Sequence, residues 1–206
     1  MAEIIENPTD AQIDEIITQM HDGKIIVYPT DTIYGIGANI FNAQAIRKTF
    51  YVKQRSVNKP LSIIVHNRRQ IDEIAYINPK INKILKKLLP GPYTLLLNKK
   101  PIINDMITAH MSTVGIRIPD NQITYKLTRD FPITTTSANI THKPTPDNIT
   151  DIQRQLKDKI TTYIDAGVMA DNTPSTIIDL TQQYPKIIRE AKTDNNIEKI
   201  LEIKLY

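Results

Sequence analysis

Short runs of aliphatic and β-branched residues alternate along this chain with amphipathic stretches of helical period, which restricts the fold to layered α/β architectures. Residues 10–22 place Ile13, Ile16, Ile17 and Met20 on one helical face, with Gly23 as the stop. Lys24-Ile25-Ile26-Val27-Tyr28 then reads as a strand ending at Pro29. Asn42 can cap a helix carrying Ala45, Ile46 and Phe50 towards Lys53, and residues 61–65 read as a second buried strand. Asn78-Pro79 marks a helix start, because proline at the first helical position loses no needed hydrogen bond. Ile81, Ile84, Leu85 and Leu88 follow at helical spacing until Pro90-Gly91-Pro92. Further strands fit 93–97, 114–118, 133–136, 162–164, 176–180 and 186–189, and helices fit 122–129 and 149–157. This spacing is too irregular for repeated βαβ units, so a mixed sheet with antiparallel pairs is expected. The polar, proline-containing stretch 141–150 reads as a mobile loop rather than a domain boundary.

At 206 residues the chain suits one domain, or one domain with a short appendage. A domain of this size buries roughly 70% of the surface its unfolded chain exposes, enough for a core without staples. With no cysteine, disulfides, thiolate zinc sites and a Cys nucleophile are excluded together. The first six residues are acidic without an apolar core, unlike a signal peptide, and no apolar run approaches the ~18 residues that span a bilayer. A cytoplasmic protein without membrane partners is the expectation. The net charge of +4 is spread along the chain, densest at Lys83, Lys86, Lys87, Lys99 and Lys100. Such a balance suits polyphosphate or RNA, and equally a solvated surface.

Only six glycines occur, which makes their placement informative. Two fall in Pro29-Thr30-Asp31-Thr32-Ile33-Tyr34-Gly35-Ile36-Gly37, where three hydroxyls and a carboxylate can line a pocket at a strand's carboxyl end, or form an ordinary polar turn. Neither a P-loop nor a dinucleotide-binding glycine fingerprint is present. Lys53, Arg55 and Lys59 place three cations within seven residues between a helix end and a strand. That loop can hold a triphosphate, remain solvated, or complement the helix C-terminus. Thr134-Thr135-Thr136-Ser137-Ala138-Asn139 is poor core material and suits a ligand rich in hydrogen-bonding groups, or an edge strand running into an Asx turn. Arg117 and Arg189 sit singly within apolar strands, where alternation alone would turn them to solvent. Of the four histidines only His66 follows a buried strand, no pair has metal-ligand spacing, and no nucleophile elbow or Ser/His/Asp order appears.

The ordered set of these blocks resembles the YrdC-like threonylcarbamoyl-AMP synthase family. It comprises Pro29 to Gly35, Lys53-Gln54-Arg55 with Lys59-Pro60-Leu61, Pro90-Gly91-Pro92-Tyr93-Thr94 and Gly115-Ile116-Arg117-Ile118-Pro119. Ser137-Ala138-Asn139, Pro174-Ser175-Thr176-Ile177-Ile178-Asp179 and Ile188-Arg189 complete it, over roughly residues 23–191. The resemblance implies one YrdC-like domain over 1–206, with a core at about 10–191 and a tail at 192–206. It also implies a twisted, mixed α/β sheet flanked by helices, with a deep cationic cavity. Threonine and bicarbonate would form a carbamate that attacks the α-phosphorus of ATP, for later transfer to tRNA by a threonylcarbamoyl transferase complex. Mg²⁺ would accompany ATP, and no protein-ligated metal is expected.

Carried over by position, Lys53, Arg55, Lys59, Ser137, Asn139 and Arg189 would handle ATP, with Lys53, Arg55, Ser137 and Asn139 closest to the chemistry. Thr30, Thr32, Tyr34, His66, Arg117 and Ser175 would enclose threonine, with Arg117 on its carboxylate. The chain departs from the family pattern at Thr141-His142, where Ser-Gly is common, at Asp171-Asn172-Thr173, where glycines are favoured, and at Ala191. A non-catalytic RNA-binding module is the alternative of another class, although the chain has no Trp and three Phe to stack on bases. A paralogous carbamoyl-adenylating enzyme is the alternative within the fold.

Overall fold

A computed structural model describes residues 2–170, 172–191 and 197. Among the described residues, ten strands form one sheet: β1 (Glu3–Glu6), β2 (Ile26–Tyr28), β3 (Gly35–Gly37), β4 (Ser62–Ile64), β5 (Tyr93–Asn98), β6 (Thr113–Arg117), β7 (Ile133–Ser137), β8 (Thr162–Asp165), β9 (Thr176–Asp179) and β10 (Lys186–Arg189). Their spatial order is β1-β8-β2-β3-β7-β4-β6-β5-β9-β10. The pairs β1/β8, β8/β2, β4/β6 and β5/β9 are parallel, and the remaining neighbours are antiparallel, so the sheet is mixed as expected.

The helices are α1 (Asp10–His21), α2 (Ala43–Lys53), α3 (Arg68–Ile74), α4 (Pro79–Leu88), α5 (Asp105–Thr108), α6 (Gln122–Leu127) and α7 (Ile149–Leu156). Thr9 and Gln12 close a reciprocal capping box on α1. Asn42, Asn67, Asn78, Asn104, Asn121 and Asn148 cap the other six, each through a side chain that accepts a backbone N–H. Each such cap contributes about 1 kcal/mol by satisfying a donor that the helix cannot.

Strand alternation sends two sets of side chains to opposite faces. On one face Ile63, Leu95, Leu97, Val114 and Ile116 join Ile46, Phe50, Ile71, Ile84 and Leu85 in the largest core, and Val27, Ile36 and Tyr163 join Ile152 and Leu156 of α7 in a second. On the other face Ile26, Tyr28, Ile64 and Ile133 pack against Ile13, Ile16, Ile17 and Met20 of α1 and Leu127 of α6. One register row further along that face, the apolar side chains give way to Thr135, Ser62 and Gly115, which lie opposite one another across β7, β4 and β6. A helix would gain little by covering such a row, and this part of the face forms a cavity instead.

Among the described residues, β1, β3, α3, α5 and a 3-10 turn at Lys157–Lys159 were not expected from the sequence. The stretch 141–150 is tied down, since the Thr141 backbone N–H donates to Lys53 O at 2.9 Å and Asn139 Nδ2 to Lys143 O at 2.6 Å. The expected tail, 192–206, lies outside the described residues apart from Ile197, which is 3% exposed and joins the largest core. No helix among the described residues is long and apolar enough to cross a membrane.

Candidate active site

The cavity on the open face has a volume of about 450 Å³. Its floor is a period-two reading of the central strands: Thr113, Gly115 and Arg117 from β6, Thr94 and Leu96 from β5, Ser62 from β4, and Thr135 and Ser137 from β7. Gly115 is required at its centre, because a Cβ there would lie 2.8 Å from Ser62 Oγ and 3.0 Å from Thr94 Cγ2. Thr30, Gly35, Arg55, Ser175 and Arg189 supply the walls, with Ile33, Leu61, Met111, Ile177 and Ile188 as apolar surface.

Three guanidinium groups therefore converge on one concavity. Arg117 is 5% exposed, and its Nη2 donates to Asp31 Oδ1 at 2.8 Å and to Thr32 Oγ1 at 3.1 Å. The second Asp31 oxygen accepts the Asp120 backbone N–H at 3.1 Å. Arg117 Nε is buried without a hydrogen-bond partner. Arg189 donates through Nε and Nη2 to Ser175 O at 3.0 and 2.7 Å, while Ser175 Oγ lies 2.8 Å from Thr94 Oγ1. Arg55 closes its own loop, donating from Nε to Lys59 O at 3.2 Å and from Nη2 to Pro60 O at 2.8 Å. Burial lowers the pKa of all three, Arg189 further through the charge of Arg117, whereas Asp31 and Tyr28 partly oppose the effect at Arg117. Guanidinium groups stay charged at physiological pH, so the effect is a penalty on buried positive charge that a bound anion would relieve.

Lys53 occupies a different place from its neighbours in the cationic loop. Gln54 ends α2 in the left-handed region (φ 49°), and the Lys53 side chain, 1% exposed, runs inward. Its ammonium donates to Asn139 O at 2.8 Å, to Asn139 Oδ1 at 2.9 Å and to Ser137 O. Ser137 Oγ donates to Asn139 Oδ1 at 2.6 Å. Lys53 thus holds the end of β7 in shape from behind. Burial, and secondarily the charge of Arg55, pushes its pKa down to about 7.

Thr30, Arg55, Ser137, Arg117, Ser175 and Arg189 line the cavity. Thr32 meets Arg117 from beside it, Asn139 stands behind Ser137, and the Lys59 ammonium lies 3.4 Å from His142 Nε2. Lys53 is likewise outside the lining, behind Ser137, and Tyr34 and His66 lie away from the cavity altogether. Alternation turns Tyr34 to the opposite face, where its hydroxyl bonds Gly167 O at 2.8 Å, Asp165 Oδ1 at 3.1 Å and the Ala166 N–H at 2.8 Å. His66 lies past the end of β4, its ring 4.0 Å from that of Tyr125 and its Nδ1 2.8 Å from Tyr125 O. Ser62 and Thr113 were not singled out as site residues, and Asp31 entered only as the carboxylate of the Pro29–Gly37 stretch. The signal for the first two was polar side chains at period two inside apolar strands, which also places Thr113, Gly115 and Arg117 on one face.

Several known proteins are similar to this chain in sequence, in architecture or in both. A Sua5/YciO/YrdC family model, described as "Telomere recombination", matches residues 18–191. A Methanocaldococcus jannaschii protein, provisionally named threonylcarbamoyl-AMP synthase, is 40% identical over 189 residues, 92% of this chain and 90% of its own length. The threonylcarbamoyl-AMP synthase of Pyrococcus abyssi is 34% identical over 192 residues, 91% of this chain. The chain spans 56% of the length of that relative. The crystal structure of P. abyssi Sua5 complexed with L-threonine superimposes with a TM-score of 0.92 at 31% identity, covering 100% of this chain and 62% of that one. E. coli YciO shares the fold, with a TM-score of 0.86 at 23% identity over 96% of this chain and 99% of its own.

Proposed function

The chain belongs to the Sua5/YciO/YrdC family, and from that premise we propose that its cavity makes threonylcarbamoyl-AMP from L-threonine, bicarbonate and ATP. The observation that carries this reading is the convergence of Arg55, Arg117 and Arg189 on one cavity floored by hydroxyls. A carbamate and a triphosphate are both anions, and a site that joins them must hold like charges together.

In the proposed step a carbamate oxygen of N-carboxythreonine attacks the α-phosphorus of ATP. The new O–P bond forms as the bond from that phosphorus to the pyrophosphate oxygen breaks, and pyrophosphate leaves with the electron pair. No covalent intermediate with the protein is required, so positioning and fixed positive charge supply the acceleration. Arg55, Ser137 and Arg189 are assigned to the nucleotide and its phosphates, Lys59 to the mouth, and Lys53 to fixing Ser137 and Asn139. Arg117, already oriented by Asp31, is assigned to the threonine carboxylate, with Thr30, Thr32 and Ser175 around it. The apolar wall has room for the threonine methyl or the adenine ring. Among the described residues no three His, Cys, Asp or Glu side chains converge as metal ligands. Mg²⁺ is assigned to the triphosphate it accompanies, where it would neutralise part of the charge. The product would serve a transferase that modifies tRNA.

Purified protein with ATP, Mg²⁺, bicarbonate and threonine should release pyrophosphate only when both threonine and bicarbonate are present. Release independent of threonine would refute the reading. Arg117→Ala removes a charge-assisted contact worth about 1.5–3 kcal/mol, so the threonine KM should rise roughly ten- to a hundredfold while the ATP KM changes far less. Equal rises in both would sink the assignment of Arg117.

A further inference from the structure

Four residues of the cavity wall follow one another across neighbouring strands: Arg117 on β6, Thr94 on β5, Ser175 just ahead of β9, and Arg189 on β10. Leu95 pairs with Ile116 in the antiparallel β5/β6 ladder, so Thr94 and Arg117, one step further along, face each other on the cavity side. Tyr93 pairs with Thr176 in the parallel β5/β9 ladder, which brings Ser175 beside Thr94. Thr94 Oγ1 and Ser175 Oγ are 2.8 Å apart, and both residues are 3% exposed. The other branch of Thr94 sets its orientation. A Cβ on Gly115 would lie 3.0 Å from Thr94 Cγ2, so the methyl faces β6 while the hydroxyl faces Ser175.

The two hydroxyls carry two hydrogens and share one hydrogen bond, so one hydrogen is left over. Arg189 cannot take it, because its Nε and Nη2 donate to Ser175 O and Nη2 stands 3.4 Å from Ser175 Oγ as a further donor. Among the described residues no other group accepts from either hydroxyl. The wall hydroxyls of Thr30 and Ser137 differ, since their hydrogens go to Ile33 O at 2.7 Å and to Asn139 Oδ1 at 2.6 Å. The Thr94–Ser175 pair therefore offers a donor and free lone pairs at one point. Carboxylate and phosphate oxygens only accept, and three guanidinium groups already serve them, whereas a hydroxyl both donates and accepts. We propose that Thr94, paired with Ser175, is a specificity-determining residue that hydrogen-bonds a substrate hydroxyl. This rests on the adenylation reading above and adds the group by which a substrate is chosen. The pair stands between Arg117, assigned to threonine, and Arg189, assigned to the nucleotide, so the threonine β-hydroxyl and the ribose hydroxyls are its two sources. A substrate lacking that hydroxyl leaves a buried donor unpaired.

The test is two preferences, each a ratio of kcat/KM values from pyrophosphate release, in the wild type and in Thr94→Val, which keeps the branched shape. One compares threonine with 2-aminobutyrate, which lacks the β-hydroxyl, and the other compares ATP with its 2′-deoxy and 3′-deoxy forms. Damage to the cavity at large slows both members of a comparison and cancels in the ratio. In Thr94→Val the preference for the hydroxylated substrate should fall roughly five- to tenfold in one of the two comparisons. A fall with the amino acids identifies the threonine β-hydroxyl as the occupant, and a fall with the nucleotides identifies the ribose. Thr94→Ser, which restores the hydroxyl, should keep the wild-type preference, and Ser175→Ala gives the same reading if Thr94→Val does not fold. Preferences unchanged in both comparisons, with the wild type active, overturn the inference and leave the adenylation reading intact. A wild type that releases no pyrophosphate in response to threonine overturns both.

Discussion

Asp31→Asn is the sharpest probe of how this site holds its charge. The Arg117 and Asp31 side chains are 6% and 10% exposed, and Nη2 and Oδ1 are 2.8 Å apart. The substitution keeps the shape and one acceptor but deletes the negative charge, leaving a buried guanidinium supported by Thr32 Oγ1 and a neutral amide. Removing one partner of a buried pair costs about 3–5 kcal/mol, most of it the penalty of the stranded charge. The amide oxygen can still accept from Arg117, but the Asp120 N–H loses its acceptor, so the loss is at least about 3 kcal/mol. For a chain of this size that is a fall of roughly 6–12 °C in Tm. Urea unfolding at neutral pH should therefore show a lower midpoint with an unchanged slope. Arg117→Met in the same background should recover part of the loss, because no charge is then stranded. Added phosphate should stabilise Asp31→Asn more than the wild type, since an anion in the cavity takes over the role of the carboxylate. A loss below about 1 kcal/mol, or a double variant less stable than Asp31→Asn, would refute the reasoning.

Two further outcomes test the surroundings of the cavity. The Lys53 pKa of about 7 lies below the 10.5 of an unperturbed lysine, so from about pH 7 to 9 the unfolded chain binds more protons at this residue than the folded one. Stability should rise with pH across that window, by at most about 1.4 kcal/mol per unit, and Lys53→Met should lose that slope in urea titrations. A wild-type profile flat over the window would refute the assignment. Gly37→Ala would set its methyl 2.7 Å from Tyr28 Cε1, against a ring with 0% exposure. Overpacking of this kind costs about 1–3 kcal/mol, and a change under about 0.5 kcal/mol in the same unfolding assay would mean that the ring yields freely.

Local pattern determined much of this protein. The 3.6-residue spacing of Ile13, Ile16, Ile17 and Met20 and of Ile81, Ile84, Leu85 and Leu88 specifies α1 and α4, and the asparagines at 42 and 78 mark two helix starts, because these features act within one or two turns. The order of the blocks from Pro29 to Arg189 was enough to point to the family, and the cationic and hydroxyl clusters to a site for anions.

Other features needed partners distant in sequence. Gly35-Ile36-Gly37 has little strand propensity and read as a pocket lining or a polar turn, yet it pairs as a strand with β2 and β7 in mid-sheet, where its glycines make room for the Tyr28 ring. Lys53 and Arg55 look alike in one basic loop, but the left-handed turn at Gln54 sends Lys53 behind Ser137 while Arg55 faces the cavity. Tyr34 and His66 stood within or beside motifs pointing to threonine, and the pleat and the end of β4 carried them elsewhere. Period-two spacing tells which side chains share a face. Only the strand order and the extent of α1 and α6 decided which part of that face was covered, and so where Arg117, Arg189 and Arg55 could meet.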